Sequence, residues 1–245
     1  GDGRSKASHT RASDAGLEDG RTIDTLVKDS DIILSICPPR NAEDVARQVK
    51  QRAFTGLFVD CNAIAPEKSR LIAARFGYQN FVDGGIVGGP VWESGSGTRL
   101  YLSGERSKDI AALFNNSLLE TTIISGEIGA ASAMKMVFAA YTKGTTALLT
   151  AILGVAEKEG VRSVLESQWG QAFTEKTHQR VVANSAKAWR FEGEMQEIAA
   201  TFENARHPGG FHTAAAAVFK QLAQFKDKPA ADIVELLEAL NQSRN

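Results

Sequence analysis

The feature that most constrains the fold of this 245-residue chain is a proline-free, apolar stretch that runs from residue 127 to residue 159. Gly126 and Gly129 stand at its start, and Gly160 is placed to end it. At a rise of 1.5 Å per residue, the stretch predicts one helix roughly 50 Å long. Its apolar residues occur on nearly every side of the helix axis, which predicts a central, buried helix.

Strand signals occur only before this helix. Short apolar runs alternate there with amphipathic, helix-like segments, a pattern typical of a mostly parallel sheet with helices on both faces. After residue 126 the apolar residues recur with a helical period. The sequence therefore predicts an α/β half at 1–126 and an all-α half at 127–245. The runs that predict strands are 31–37, 56–61, 81–83, 99–102 and 121–125.

The composition narrows the classes of function. A net charge of −1 provides no field that favours nucleic acid or an anionic membrane. The longest apolar run, at 147–156, is too short to span a bilayer. The four histidines lack the spacing of metal ligands, and the two cysteines suggest reduced thiols. We therefore expect a cytoplasmic protein with no nucleic-acid or membrane partner and no bound metal.

One lysine, Lys135, lies near the start of the apolar helix. A lysine there must be paired, extend to water, or remain a neutral amine with a lowered pKa. The neutral amine suits general acid–base chemistry near neutral pH. On the residues alone, an ordinary lysine at the edge of a helix is the alternative.

The glycines before this lysine match a known pattern. Gly126, Gly129 and Lys135 fit a Gly-x-x-Gly-x-Gly-x-x-x-Lys element, with Ala131 at the third glycine. In this the chain resembles the β-hydroxyacid dehydrogenases related to 6-phosphogluconate dehydrogenase, and the resemblance runs over nearly the whole chain. It implies that Lys135 is the catalytic acid–base, and that the reaction is hydride transfer between a nicotinamide cofactor and a small hydroxy acid or its keto counterpart.

The resemblance also assigns the two halves. It implies a doubly wound, Rossmann-like dinucleotide-binding domain at 1–126 and an all-α substrate and dimerisation domain at 127–245. The second half is similar to a poorly characterised branch that carries Tyr-Thr-Lys-Gly, here at 141–144, and Phe-Glu-Gly-Glu-Met, here at 191–195. Because the family is built as dimers through this half, the resemblance implies a homodimer.

A glycine-rich segment resembles the substrate loop of the family, Asp-x-x-x-Ser-Gly-Gly. Here it contains Asp83, Gly88 and Gly89, with Val87 in place of the serine. The resemblance implies that these four residues bind substrate, and the backbone N–H groups of the two glycines are able to hold an anion. The asparagine that normally follows the lysine by four residues is Ala139 here. The alternative is a glycine-rich turn between strands.

The cofactor contacts come from the resemblance as well. A Gly-Arg-Ser-Lys segment at the start of the chain resembles the Asn-Arg-Thr-x-x-Lys segment of NADP-preferring members, and arginine suits the ribose 2′-phosphate. Two strand ends, Ser-Ile-Cys-Pro and Asp-Cys-Asn, match loops on the nicotinamide side. The residues implied to bind NADP are Arg4, Ser5, Lys6, Cys37, Pro38 and Asn62.

One element of the family pattern does not occur in the first half. The sequence contains no Gly-x-Gly-x-x-Gly there, and we expect that it begins at the end of the second Rossmann strand, either because it is incomplete or because of a natural truncation. The leading hypothesis is an NADP-dependent oxidoreductase. Two alternatives stay open: an imine reductase, although that group generally replaces the lysine, and a non-catalytic helical dimer with a degenerate Rossmann half.

Overall fold

The computed structural model describes residues 6–93, 95–226 and 228–242. Its first half contains a five-stranded sheet with the strand order β1-β2-β3-β4-β5. The first three strands pair in parallel, β3 and β4 are antiparallel, and β4 and β5 are parallel. The strands are β1 Ile32–Ser35, β2 Leu57–Asp60, β3 Phe81–Val87, β4 Arg99–Ser103 and β5 Glu120–Ile123. The prediction of a mostly parallel sheet followed by helices is confirmed.

Helices cover both faces of the sheet and make up the second half. The first half contains α1 Lys6–Asp14, α2 Ile23–Asp29, α3 Ala42–Gln51, α4 Pro66–Phe76 and α5 Ser107–Leu113. The second half contains α6 Ala130–Ala139, α7 Thr145–Lys158, α8 Arg162–Trp169, α9 Gln171–Ser185, α10 Ala188–Asn204, α11 Gly210–Gln221 and α12 Ile233–Gln242. Every residue of β2 is buried, because this strand lies in the middle of the covered, parallel part of the sheet.

The long central helix differs from the prediction in its start and in its middle. It begins at Ala130 rather than at residue 127, because Gly129 has a φ of +100°, outside the helical region. A π-helical segment, Ala140–Gly144, separates α6 from α7. Such a segment adds a residue to one helical turn, and the apolar periodicity of the sequence did not predict it.

Within the single chain, this central helix is buried on its inner side only. Its inner side packs in the helical core through Met136 and Leu153. Its outer side leaves Tyr141 69% and Val155 64% exposed. By length and composition alone, the run Ala130–Lys158 is long and apolar enough to cross a membrane, unlike the shorter run considered from the sequence. The core helix of a soluble protein passes the same test.

A buried carboxylate, that of Asp83, joins the sheet to α6. It accepts hydrogen bonds from the hydroxyls of Ser69 on α4 and Ser103 on β4, at 2.8 and 2.9 Å. It also accepts the backbone N–H groups of Gly129 and Ser132, at 3.0 and 2.9 Å. These two N–H groups have no partner within the helix, and the positive end of the helix dipole favours an anion there. Asp83 thus fixes the start of α6 against β3.

We predict that Asp83→Asn lowers the free energy of unfolding by at least about 3 kcal/mol, because the amide group places a donor among donors that need an acceptor. Asp109→Asn is the matched control. That carboxylate lies on the surface, where it pairs with Arg106, so its loss changes the unfolding free energy by less than about 1 kcal/mol. Urea denaturation of both variants is the measurement. Equal stability of Asp83→Asn and the wild type would contradict this role of Asp83.

Candidate functional site

The carboxyl ends of the three parallel strands lie at one edge of the sheet, where open α/β folds bind ligands. β1 is followed by Cys37, β2 by Asn62, and β3 ends at Val87, directly before Gly88. Because β1, β2 and β3 are mutually parallel, these positions share that edge. The structure therefore brings the residues predicted for the nicotinamide side and the predicted substrate loop to one side of the molecule.

The amine of Lys135 reaches this edge from α6. Its Nζ donates a hydrogen bond to the carbonyl oxygen of Ile86 near the end of β3, with a separation of 2.6 Å. Gly85 makes the close approach possible, since a Cβ on it would lie 2.6 Å from the carbonyl oxygen of Ala131 and 3.1 Å from the Cβ of Lys135. The amine thus lies beside the end of β3, which leads into the loop that contains Gly88 and Gly89 (the glycine loop).

The surroundings of Lys135 favour its neutral form. Burial, together with the positive charges of Lys143 and Arg190, lowers the pKa of Lys135 to about 8, whereas Glu194 acts in the opposite direction. A general acid or base is most effective when its pKa lies near the working pH. The amine therefore titrates in a range where it can both accept and return a proton.

A second lysine, Lys143, lies in the π segment. Its ammonium group forms an ion pair with Glu194 of α10 and lies 4.9 Å from the ring centroid of Phe191. Both groups of the pair are largely buried. The contact joins the Tyr-Thr-Lys-Gly and Phe-Glu-Gly-Glu-Met motifs, which the sequence analysis noted without assigning a role to their charged residues.

Asn62 ties the ends of β1 and β2 together. Its side-chain oxygen accepts the backbone N–H of Cys37 at 2.6 Å, and its amide nitrogen donates to the hydroxyl of Ser35 at 3.0 Å. Its own backbone N–H donates to Asp60 at 2.9 Å. The structure thus brings together two of the residues predicted to bind cofactor, and Pro38, the third of this group, follows Cys37 directly.

Two buried residues beside Asn62 have shifted acidities. Burial raises the pKa of Asp60 to about 6, and the Oδ2 atom of that carboxylate has no hydrogen-bond partner among the described residues. Burial also raises the pKa of the Cys61 thiol, which makes it a poor nucleophile. The sequence did not predict a role for Asp60. Its position at the carboxyl end of a buried strand is the feature that could have indicated one.

Helix α10 holds the loop that follows Asn62. Glu197 accepts the backbone N–H of Ala65 at 2.9 Å and forms an ion pair with Lys68. The same helix packs against the turn Pro39–Asn41, which follows the end of β1. The helical half therefore contacts both strand-end loops and also, through Glu194, the region of Lys135.

The remaining predicted residues fall into three groups. Arg4 and Ser5 lie outside the described residues, and Lys6 is exposed at the start of α1. Val87 is buried, so its side chain does not face the surface. Gly88 and Gly89 are exposed, and the carbonyl oxygen of Gly89 accepts the Thr98 hydroxyl at 2.9 Å.

Asp83, which was predicted to contact substrate, is fully buried. Both of its carboxylate oxygens accept hydrogen bonds from groups of the protein. Its position makes it a residue that places Lys135 rather than one that touches a ligand. In the part of the chain that the structure describes, no group of three or more histidine, cysteine or acidic side chains is arranged to hold a metal ion.

Known proteins are similar to this chain in sequence and in fold. A family model described as a domain of unknown function, DUF1932, matches residues 153–222. An uncharacterised 28.5 kDa protein in the 7S RNA 5′ region of Methanothermus fervidus is 28% identical over 200 residues, which cover 80% of this chain and 77% of that protein.

Solved structures have the same fold over nearly the whole chain. The conserved protein MTH1747, of unknown function and described as structurally similar to 3-hydroxyacid dehydrogenases, is 28% identical with a TM-score of 0.62, and the match covers 91% of this chain and 85% of that one. This chain therefore has the fold of a structure described as similar to 3-hydroxyacid dehydrogenases. The resemblance inferred from its sequence is confirmed.

Two further structures extend the comparison of folds to named enzymes. The 3-hydroxyisobutyrate dehydrogenase of Mycobacterium tuberculosis, solved with L-serine, matches with a TM-score of 0.64 at 16% identity and covers 98% of this chain and 88% of its own. An imine reductase from Myxococcus stipitatus, in complex with NADP⁺, matches with a TM-score of 0.52 at 20% identity over 97% and 89%.

Proposed function

We propose that this protein is an NADP-dependent oxidoreductase that acts on a small hydroxy acid or its keto counterpart. The observation that carries the proposal is the position of Lys135. Its partly buried amine lies at the carboxyl edge of the sheet and donates to the carbonyl group of Ile86. This is the place in the fold where a reacting group and a dinucleotide meet.

In the proposed reaction, Lys135 acts as the general acid–base. In oxidation its neutral amine takes the proton of the substrate hydroxyl, and in reduction its ammonium form returns a proton to the carbonyl oxygen. The Ile86 carbonyl holds the amine in position through its hydrogen bond. Since the pKa of Lys135 is lowered to about 8, the rate of reduction falls as the pH rises above 8, and the rate of oxidation rises up to that pH.

The strand-end loops fit a nicotinamide cofactor. Cys37, Pro38 and Asn62 lie after the ends of two parallel strands, and no described residue forms a hydrogen bond with the buried Oδ2 atom of Asp60 beside them. When bound, NADP supplies the hydride chemistry, and the protein supplies orientation. We propose that Arg4, Ser5 and Lys6 contact the 2′-phosphate, as the sequence pattern implies. The imine reductase of the same fold, solved with NADP⁺, supports this choice of cofactor.

The alternative is a non-catalytic helical dimer. It is favoured by Val87 and Ala139, which stand where the resembled family has polar substrate contacts, and which are both buried here. The two functions differ in cofactor binding, because a degenerate Rossmann half binds no NADPH. We propose a cytoplasmic location, and the soluble-type dehydrogenase fold supports it.

We predict that Lys135→Met lowers turnover by about 10²–10⁴-fold, the usual contribution of a general acid–base, and leaves NADPH affinity within twofold of the wild type. Turnover is measured as NADPH oxidation with the most active member of a panel of small keto acids. Lys158→Met, at the exposed end of α7, is the control and retains full activity. A Lys135→Met enzyme with more than a third of wild-type activity would show that another group transfers the proton.

We also propose a homodimer that pairs along the outer side of α6 and α7. Exposed apolar side chains recur there with helical spacing and form a continuous stripe along the run: Val137, Tyr141, Leu148 and Val155. Covering such a stripe removes apolar surface from water, and two-fold association is the commonest way to do so. Obligate dimers commonly bury more than about 2,000 Å² in total.

We predict that sedimentation at micromolar concentration gives twice the chain mass of 26.3 kDa. Leu148→Glu places a charge in the proposed interface and converts the protein to a monomer. Leu113→Glu is the matched control, because Leu113 is an exposed leucine on α5, outside the stripe, and its replacement leaves the dimer intact. A wild-type protein that sediments as a single 26.3 kDa species would contradict the dimer.

A further inference from the structure

We propose that Arg190 and Lys143 form an anion-binding subsite beside Lys135, which holds the acidic group of the substrate. The inference rests on the proposed function for the identity of the substrate, while anion binding itself is testable without turnover. It places recognition of the acidic group on the helical half rather than on the glycine loop.

The positions that hold this group in the resembled family are apolar here. Val87 stands in place of the loop serine and is 7% exposed, and Ala139 stands in place of the asparagine and is 1% exposed. Neither side chain has a polar atom, and both are buried. A side-chain partner for an acidic substrate must therefore come from another residue near Lys135.

The π segment places Lys143 on the same side of the helix as Lys135. In an uninterrupted α-helix, a residue eight positions on lies about 80° around the axis. One additional residue in a turn reduces that angle to about 20°. The segment Ala140–Gly144 follows Lys135 and contains Lys143, so it turns Lys143 toward the side of Lys135. The helix thus aligns two amines along the side that packs against α10.

Arg190 lies on the face of α10 that points to these lysines. Arg190, Glu194 and Glu197 are spaced by four and three residues, which puts them on one face of the helix. Glu197 contacts the loop after β2, and Glu194 contacts Lys143. Arg190 is one turn nearer the start of α10 and is exposed. No described residue forms an ion pair with its guanidinium group.

The charges of this cluster leave one positive charge to be matched. When Lys135 is neutral, Lys143 and Arg190 contribute two positive charges and Glu194 contributes one negative charge, so one substrate carboxylate balances the set. The guanidinium group offers a planar pair of donors that fits a carboxylate or a phosphate. A carboxylate is the group that a small hydroxy acid supplies, and its attachment here leaves the neighbouring carbon beside Lys135.

The test is calorimetric titration of the full chain, without cofactor, with tartronate and separately with inorganic phosphate. We expect tartronate to bind, and Arg190→Gln to weaken its binding at least tenfold. Arg190→Lys, which keeps the charge but loses the planar fork, weakens it less. Arg75→Gln, which removes an exposed arginine on α4, is the matched control and leaves binding unchanged. Binding of phosphate in place of tartronate, with the same dependence on Arg190, supports the subsite and assigns it a phosphorylated substrate.

Two results would overturn the inference: equal tartronate affinity of wild type and Arg190→Gln, or no binding of either anion at millimolar concentration. Since Arg190 is exposed, its replacement leaves the fold intact, and an unchanged circular dichroism spectrum checks this. Failure of the proposed function has a different signature. If the Lys135→Met enzyme retains its turnover while tartronate binding still depends on Arg190, the anion-binding subsite is supported and the assignment of Lys135 as the acid–base is wrong.

Discussion

The buried carboxylate of Asp83 is the contact on which the rest of the candidate site depends. A carboxylate removed from water is stable only when its oxygens are hydrogen-bonded, and here the donors come from α4, β4 and the start of α6. The same bonds supply the acceptors that the first turn of α6 requires. Lys135 lies one turn further along that helix, so the carboxylate fixes the distance between the amine and the end of β3.

A second set of contacts comes from α10. Glu197 holds the loop after β2, and Glu194 holds Lys143 of the π segment. One helix face thus connects the strand-end loops of the sheet half with the central helix of the other half. Because both glutamates are largely buried and paired, removal of one partner would leave a buried charge, and the relative placement of the halves depends on these pairs.

The sequence predicted local elements well where backbone chemistry marks their ends. Pro66 stands in the first turn of α4 and Gly77, with a φ of +85°, directly follows it, so both ends of this helix have a local marker in the sequence. The alternation of apolar runs predicted the sheet, and the glycine pattern before Lys135 pointed to the amine. Each of these signals is contained in a short segment of the chain.

What the sequence did not predict depends on contacts between distant segments. The bond from Ser132 to Asp83 spans 49 residues, and the pair of Lys143 and Glu194 spans 51. Periodicity shows that the central helix is apolar on most sides, but it does not show that the chain covers only one of them. The π segment has no local marker, since its residues fit a regular helix equally well. For the same reason, the sequence predicted that Asp83 binds substrate, whereas its burial in the structure indicates that it fixes the position of α6.

The contacts of Asp83 and the packing of α6 hold Lys135 as an amine with a lowered pKa. The direct measurement is an NMR titration of protein labelled with ¹³C at the lysine Cε, with Lys135→Arg used to assign the signal. We expect one lysine to titrate at about pH 8 and its signal to be lost in the variant. A Lys135 signal that titrates at 10.5, the ordinary value for lysine, would show that the site does not lower the pKa of this amine.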